Sequence, residues 1–393
     1  MFMKKRGYFG LTLWGGLITG DRTWAKSLGL GNNDFEFNPD VEGWGQLLDN
    51  LNNLVRVTGL YKHLDLCLHL DSSIPDLLGR FDMIGELNTA VRSNPIPIEM
   101  GMHSTFKDTD LILSRDFRKT LKKDLGLCRS IGGTSIVEHP PISRENRIDE
   151  MVEELSSEYV VGLLKDYPEI CLCWENMPSS NVANRFFGTL GNLLEFRRKL
   201  KARLSEIGEP DLINQHLFCL DTGHLIVTYH HNKQKGNQEW LDRLDKEVQE
   251  FARHLKVWHI HANDGSADQH LPPDSLEFMN HASRKNVVQA QLMNYSGFIQ
   301  RWLAMAVPYS RSDVHYHLEL LRLPFSLNQI SEFACKTISI FEGIEEGAIN
   351  MLLNGTWNML MRYGILDWTG SPKLGFYALK RSIVELKRHR GIL

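Results

Sequence analysis

The segment Leu217–Val227, LFCLDTGHLIV, joins a short apolar run to an aspartate and a histidine, Asp221 and His224. An apolar run of this length is typical of a strand that is buried on both faces. A carboxylate and an imidazole just beyond such a strand lie where parallel barrels and open sheets carry their chemistry. Taken alone, the segment fits an aspartate that caps a helix and a histidine in the core equally well. The case for a site therefore depends on the other strands.

Strand-like and helical segments alternate along most of the chain, which predicts an α/β fold, specifically a (β/α)8 TIM barrel. The eight strand-like segments are Tyr8–Trp14, Leu64–Leu70, Ile96–His103, Thr134–His139, Glu169–Glu175, Leu217–Leu220, Lys256–His261 and His315–Glu319. The segments with helical spacing of apolar residues are Trp44–Leu60, Phe81–Val91, Phe117–Ile131, Ile148–Tyr167, Leu190–Ile207, Trp240–Leu255, Ile299–Met305 and Leu327–Glu342.

The chain divides into a barrel and an addition. Residues 1–345 are expected to form the barrel. Residues 346–393 are expected to form a C-terminal helical extension, because they contain no further strand-like segment. The polar stretch from Gly15 to about Glu42 is too long for an ordinary connection between a strand and a helix. It is therefore expected to be a lid or an insertion.

The overall composition is that of an ordinary globular protein. The chain has 393 residues, of which 42% are hydrophobic and 23% charged, and its formal net charge of −4 gives no electrostatic footprint of a dedicated nucleic-acid binder. No apolar segment is long enough to span a membrane, and none of signal-peptide length follows the basic Met1–Arg6. Several of the six cysteines lie within apolar runs. The expectation is a reduced protein of the cytoplasm.

Histidines and carboxylates stand at the carboxyl ends of strands three to eight, and these positions meet at one mouth in a parallel barrel. Burying so many unpaired polar groups together would be very costly, and divalent cations resolve the problem. Mixed histidine and carboxylate ligands suit zinc, manganese or iron, and the set is too large for one tetrahedral ion, so two or three ions are expected. The predicted metal ligands are His103, His139, Glu175, Asp221, His224, His261, Asp268, His270 and Glu319.

The order of these motifs resembles the xylose-isomerase-like barrel superfamily, and within it most of all the endonuclease IV family. The most specific matches are DTGH at Asp221–His224, WEN at Trp174–Asn176 and FGTLGNLLEF at Phe187–Phe196. A further match is HANDG at His261–Gly265, followed by DQH at Asp268–His270. The resemblance runs from about Ile96 to Glu319.

The resemblance implies three zinc ions held by three ligand sets, with the glutamate shared between two of them. The matching residues are His103, His139 and Glu175 for one ion, Glu175, Asp221, His261 and Glu319 for a second, and His224, Asp268 and His270 for a third.

The implied reaction is hydrolysis of a phosphoester, in that family the DNA backbone at an abasic site, by a hydroxide that bridges two metal ions. Glu175 would support that bridge as the catalytic residue. Damaged DNA is then the expected partner. Arg185, Phe186 and Tyr229 are the expected substrate contacts, although ordinary loop and packing roles account for them as well.

Departures from the family pattern bear on the substrate more than on the ligands. The interval from His261 to Asp268 is short, and Gly265 and Ser266 stand where the family carries a lysine-containing segment. Prolines follow the Asp-x-His motif in place of the usual glycines. The sequence therefore supports the metal site better than it supports a DNA substrate.

An alternative reaction exists within the same fold. Sugar isomerases and epimerases of this superfamily hold one metal with a Glu/Asp/His/Glu tetrad, which Glu175, Asp221, His261 and Glu319 match. Their glutamates exchange protons beside a metal-polarised carbonyl. Ligands at the remaining predicted positions are not needed for that chemistry, which favours the hydrolase.

A third class is a barrel used as an oxidase or as a subunit of a larger assembly, and self-association is left open. His259 and His317, two residues before His261 and Glu319, are expected to support the ligands or to fill the core.

Overall fold

Eight parallel strands are hydrogen-bonded in sequence order in the computed structural model of the chain, and the last strand pairs with the first. They are β1 (Tyr8–Leu13), β2 (Asp65–Leu70), β3 (Ile98–His103), β4 (Gly133–Glu138), β5 (Cys171–Glu175), β6 (His216–Asp221), β7 (Leu255–Ile260) and β8 (His315–Leu318). The structure describes residues 8–13, 65–70, 81–104, 111–114, 116–180, 185–261, 265, 268, 301–302 and 305–318.

Helices cover the sheet on its outer side. The described helices are α1 (Phe81–Ser93), α2 (Phe117–Ser130), α3 (Ile148–Leu155), α4 (Glu158–Asp166), α5 (Leu190–Glu206), α6 (Thr222–Gln234) and α7 (Gln238–Ala252). Single 3-10 turns occupy Leu111–Leu113, Phe186–Gly188 and Val307–Tyr309, and a longer one Pro210–Gln215. Within the described ranges, no helix has the length and apolar character to cross a membrane. The α/β class with a parallel sheet is confirmed, whereas a helix after every strand is not tested.

Successive side chains of a strand point to opposite faces of the sheet, and this gives two separate apolar regions. One face of the strands β2 to β7 packs against the helices, as the stacked rings of Phe218 and Phe251 illustrate, with centroids 4.2 Å apart. The other face points into the barrel, where part of the interior is apolar and contains Val137, Leu217 and Val257. Because the sheet is covered on both sides, its strands carry near-continuous apolar runs.

The predicted helix Ile148–Tyr167 is wrong as a single element, because the chain breaks it into α3 and α4 at Ser156 and Ser157. The Ser157 hydroxyl accepts a hydrogen bond from the backbone N–H of Val160 and so caps α4. Apolar periodicity continues across the break, which is why the pattern predicts one helix. Serine at a helix N-cap is the local signal for the break.

Helix α6 is an element that the pattern does not predict. It begins directly after β6, and the residues of its first two turns, Thr222–Thr228, are all buried. A helix that is buried all round has no polar face, so it carries none of the periodicity by which surface helices are found.

Several expectations lie outside the described residues and stay predictions. These are the helices Trp44–Leu60 and Leu327–Glu342, the long stretch Gly15 to Glu42, the first two residues of the helix Ile299–Met305, and the extension 346–393. The division of the chain at residue 345 is likewise untested.

Candidate metal centre

The predicted ligands that the structure describes come together at the carboxyl end of the barrel. Two groups form there, one of His103, His139 and Glu175 and one of Asp221, His224 and His261. Within each group, one possible ligand atom from every residue lies within 4.8 Å of the others. His270 and Glu319 lie outside the described residues.

The first group is built on Glu175, at the end of β5. Its Oε2 atom lies 2.9 Å from His139 Nε2 and 3.5 Å from His103 Nε2. Among the described residues, Oε2 of Glu175 and Nδ1 of His139 have no hydrogen-bond partner of acceptable geometry, although both atoms are buried. A buried carboxylate oxygen that faces two imidazole nitrogens without a hydrogen bond fits a cation between them, and the donors suit zinc, manganese or iron.

The second oxygen of Glu175 faces other side chains. Oε1 lies 2.9 Å from Nδ1 of His259 and 3.9 Å from Nδ1 of His224. Burial alone would raise the pKa of Glu175, but the charge of His259 and the close approach of His103 and His139 hold that pKa well below its ordinary value. The carboxylate is therefore ionised. His259 supports a predicted ligand, as expected from its position one layer below the mouth.

The second group is built on Asp221, whose two oxygens have different partners. Oδ1 accepts a hydrogen bond of 2.7 Å from the backbone N–H of His224, which makes Asp221 the N-cap of α6. Oδ2 lies 2.8 Å from Nε2 of His261. In the segment Leu217–Val227, the side chain of Asp221 therefore both caps a helix and belongs to the donor group.

His224 is oriented by a backbone carbonyl. Its Nδ1 lies 2.7 Å from the carbonyl oxygen of Asn176, and because a carbonyl only accepts, Nδ1 carries the proton. Nε2 then faces Oδ2 of Asp268 at 3.1 Å. Burial alone would lower the pKa of His224, but Asp221 and Asp268 raise it well above its ordinary value. An imidazole held by one nitrogen and offering the other is the usual arrangement of a metal-binding histidine.

Asn176 joins the ends of two strands. Its side-chain N–H donates to the carbonyl of Asp221 at 2.9 Å, and its Oδ1 accepts from the backbone N–H of Asp221 at 2.7 Å. The residue is fully buried. The sequence marks Asn176 only as part of the WEN motif and does not reveal this role, which connects Glu175 to Asp221 rigidly.

Gly223 leaves room for His261. A Cβ atom at this position would lie 1.9 Å from Cε1 of His261. The hydroxyl of Thr222, next to it, contacts the backbone of both His259 and His261 at 3.1 Å. The start of α6 therefore packs directly on β7. Sequence analysis places Gly223 in the motif without assigning it this function.

The three predicted substrate contacts, Arg185, Phe186 and Tyr229, are half-buried. The backbone N–H of Arg185 donates to the hydroxyl of Ser179 at 3.1 Å. Phe186 and Tyr229 pack against the core between sheet and helices. Their role toward a substrate stays a prediction.

Comparison with known proteins gives similarity of structure only. No protein-family model matches the chain, and no curated protein matches it in sequence. Among solved structures, D-psicose 3-epimerase from Clostridium cellulolyticum with D-tagatose has a TM-score of 0.44 and 11% identity, over 96% of this chain and 98% of that one.

Two further solved structures are similar. A xylose isomerase domain protein from Alicyclobacillus acidocaldarius has a TM-score of 0.40 and 12% identity, over 76% of this chain and 99% of that one. The TTHB071 protein from Thermus thermophilus, soaked with ZnCl2, has a TM-score of 0.37 and 16% identity, over 79% and 90% of the two chains. Because these scores and identities are low, the similarities assign neither a family nor a reaction to this chain.

Proposed function

We propose that the protein is a metal-dependent hydrolase of phosphoesters with more than one divalent ion, zinc in the first place, at the carboxyl end of the barrel. The observation that carries the proposal is the position of Glu175 between two donor groups. Oε2 faces His103 and His139 of the first group, and Oε1 lies 3.9 Å from Nδ1 of His224, a member of the second. A carboxylate so placed is suited to bridge two ions.

The donor set fits such ions better than it fits a single one. His103 and His139 belong to a group that a one-metal isomerase does not need. His224 and Asp268 form a further pair at 3.1 Å, beside the group of Asp221 and His261. Divalent ions bound there would lower the pKa of coordinated water and would stabilise the negative charge that develops on a phosphoester.

The protein's own part in the reaction is to hold charge in place. The ionised carboxylate of Glu175 is fixed through Oε1 by His259. The carbonyl of Asn176 accepts the N–H of Nδ1 of His224 and so orients the ring with Nε2 toward the site. Such preorganised groups need no rearrangement when charge develops on the substrate.

Epimerisation or isomerisation of a sugar is the second candidate. The group of Asp221, His224 and His261 is compact enough to serve one metal together with Glu175. One of the similar solved structures is a D-psicose 3-epimerase. This reaction is therefore the one to test beside hydrolysis.

The deciding experiment measures metal equivalents per chain and two activities in the purified full-length protein. The substrates are a DNA duplex with one synthetic abasic site and a ketose, D-tagatose. For the hydrolase we expect more than one equivalent, loss of one equivalent in His103→Ala, and loss of DNA cleavage in the same variant.

His254→Ala is the matched control, because His254 is half-buried on the outside of the barrel and belongs to neither group. It should keep both metal content and activity. A single equivalent that is unaffected by His103→Ala, together with epimerisation of the ketose, would replace the hydrolase by the second candidate.

A further inference from the structure

The barrel interior contains a second concentration of metal-binding side chains, on the side of β2 and β8. Cys67, His315 and His317 are fully buried there, and His69 is nearly so. Barrel interiors are ordinarily filled by branched apolar side chains, which the opposite side of this barrel has in Val137, Leu217 and Val257. Polar groups at such positions lose their hydration, and a hydrogen bond or a bound cation is needed to offset that cost.

The three side chains lie close together because of the strand register. Cys67 and His317 both pair with Gly10 of β1, which lies between their strands and has no side chain to separate them. Sγ of Cys67 is 4.0 Å from Nε2 of His317. His315 shares a face of β8 with His317, and one of its ring nitrogens lies within 4.8 Å of both other ligand atoms.

The protonation of His315 is fixed by a carboxylate. Nε2 of His315 lies 2.8 Å from Oε1 of Glu99, whose charge is balanced by Lys256 at 3.1 Å. Because an ionised carboxylate only accepts, Nε2 carries the proton and Nδ1 holds the lone pair. Nδ1 is buried and has no hydrogen-bond partner among the described residues. A histidine that donates one N–H to a carboxylate and offers its other nitrogen is typical of metal ligands.

The side chains of Cys67, His315 and His317 are removed from water by the barrel. Burial raises the pKa of the Cys67 thiol well above its ordinary value, and burial lowers the pKa of His317 well below its own. Neutral imidazole is the form that binds a metal, and the thiol would lose its proton to solvent as a metal–sulfur bond formed. Among the described residues, the hydrogen-bonding atom beside the thiol is Nε2 of His317 at 4.0 Å, so a weak S–H···N hydrogen bond is the competing explanation.

We propose that Cys67, His315 and His317 bind a divalent transition metal of the zinc class inside the barrel, at a site separate from the mouth. One sulfur and two nitrogen ligands are the donors that zinc prefers. In a tetrahedral zinc site, sulfur and nitrogen ligands are separated by about 3.6 Å, so the observed pair needs to approach by only a few tenths of an ångström. Since the site is enclosed, the metal is taken up as the chain folds.

Cobalt is a suitable probe, since thiolate bound to Co²⁺ gives a charge-transfer absorption in the near ultraviolet. The full-length protein, produced with Co²⁺ in place of zinc, should show this band. The band should persist in Cys219→Ala, which removes a thiol 3.9 Å from Glu175 at the mouth, and should disappear in Cys67→Ala together with one metal equivalent. Absence of the band, or its survival in Cys67→Ala, would overturn the proposal.

A second measurement decides the question if Cys67→Ala does not fold. X-ray absorption at the zinc edge of the Cys219→Ala protein, in which Cys67 is intact, should contain a sulfur scatterer at about 2.3 Å. A zinc spectrum with nitrogen and oxygen scatterers alone would show that Cys67 is only a buried thiol. Neither readout uses enzymatic activity, so a failure of the proposed hydrolase leaves this test unaffected.

Discussion

At the scale of single residues, the absence of a side chain at Gly223 is as necessary to the site as any ligand. We expect Gly223→Ala to displace His261, because the new methyl group would lie 1.9 Å from Cε1 of the imidazole ring. The start of α6 cannot shift away from β7 without breaking the hydrogen bonds between the Thr222 hydroxyl and the backbone of His261. The variant should lose metal in an elemental analysis of the purified protein.

Gly162→Ala is the control for this substitution. Gly162 lies in α4, and a Cβ atom there meets nothing within 4 Å. This variant should keep its metal and gain stability of about 0.5–1 kcal/mol, as alanine does over glycine in a helix. Equal metal contents in the two variants would contradict the role given to Gly223.

Asn176 allows a second test at the residue scale. Asn176→Asp removes the N–H that donates to the carbonyl of Asp221 and places a carboxylate oxygen 2.9 Å from it. Because the pair is buried, the free energy of unfolding should fall by about 1–3 kcal/mol. Urea denaturation followed by circular dichroism measures the change.

The matched change is Asn88→Asp, which also removes a donor to a carbonyl, that of Ser130, but on the exposed surface. There water replaces the lost partner, and the cost should stay below about 0.5 kcal/mol. If both variants lost the same stability, the link between β5 and β6 would not depend on Asn176.

The candidate ligands were predictable from the sequence because their types and their places after strands are both visible in it. His103, His139 and Glu175 are brought together as the order of strands requires. The roles of Asn176 and Gly223 were not predictable, because a reciprocal hydrogen bond and a missing methyl group depend on distances between strands that no spacing along the chain encodes.

At the scale of elements, the separation of α3 from α4 depends on the cap at Ser157. The Ser157 hydroxyl accepts the backbone N–H of Val160 at 3.4 Å. Ser157→Ala should lower the free energy of unfolding by about 1 kcal/mol, the usual loss when an N-cap serine is replaced. Chemical denaturation at neutral pH gives this value.

Ser205→Ala is the corresponding control, since the Ser205 hydroxyl donates to a carbonyl within α5 and is exposed. Alanine is at least as good a helix former at such a position, so no loss is expected. A loss at Ser205 as large as that at Ser157 would show that capping is not the cause.

The elements that the sequence predicts least well are those with no contrast between their faces. Strand β6 is found because its apolar run ends in a polar motif. Helix α6, directly after it, is missed because its first residues are buried on every side. Apolar periodicity reports a helix only where one side of it meets water.

At the scale of the whole molecule, a buried histidine with a lowered pKa makes the stability of the fold sensitive to acid. Burial and the nearby charge of Arg197 lower the pKa of His216 from 6.5 to about 3. Below pH 6.5 the unfolded chain therefore takes up a proton that the folded chain refuses. The stability that this histidine contributes is complete above pH 6.5 and is lost progressively as the pH falls toward 3.

His216→Gln tests this origin of acid sensitivity. Nδ1 of His216 lies 3.3 Å from the indole N–H of Trp174, and a glutamine side-chain oxygen can accept that hydrogen bond instead. Between pH 7 and pH 5, the wild-type protein should lose about 2 kcal/mol more of its free energy of unfolding than the variant, the amount that linkage gives for this histidine. Urea titrations of both proteins at the two pH values measure it. An equal loss in both would mean that His216 is protonated in the folded barrel at pH 5. Water would then have to reach the imidazole beside Trp174.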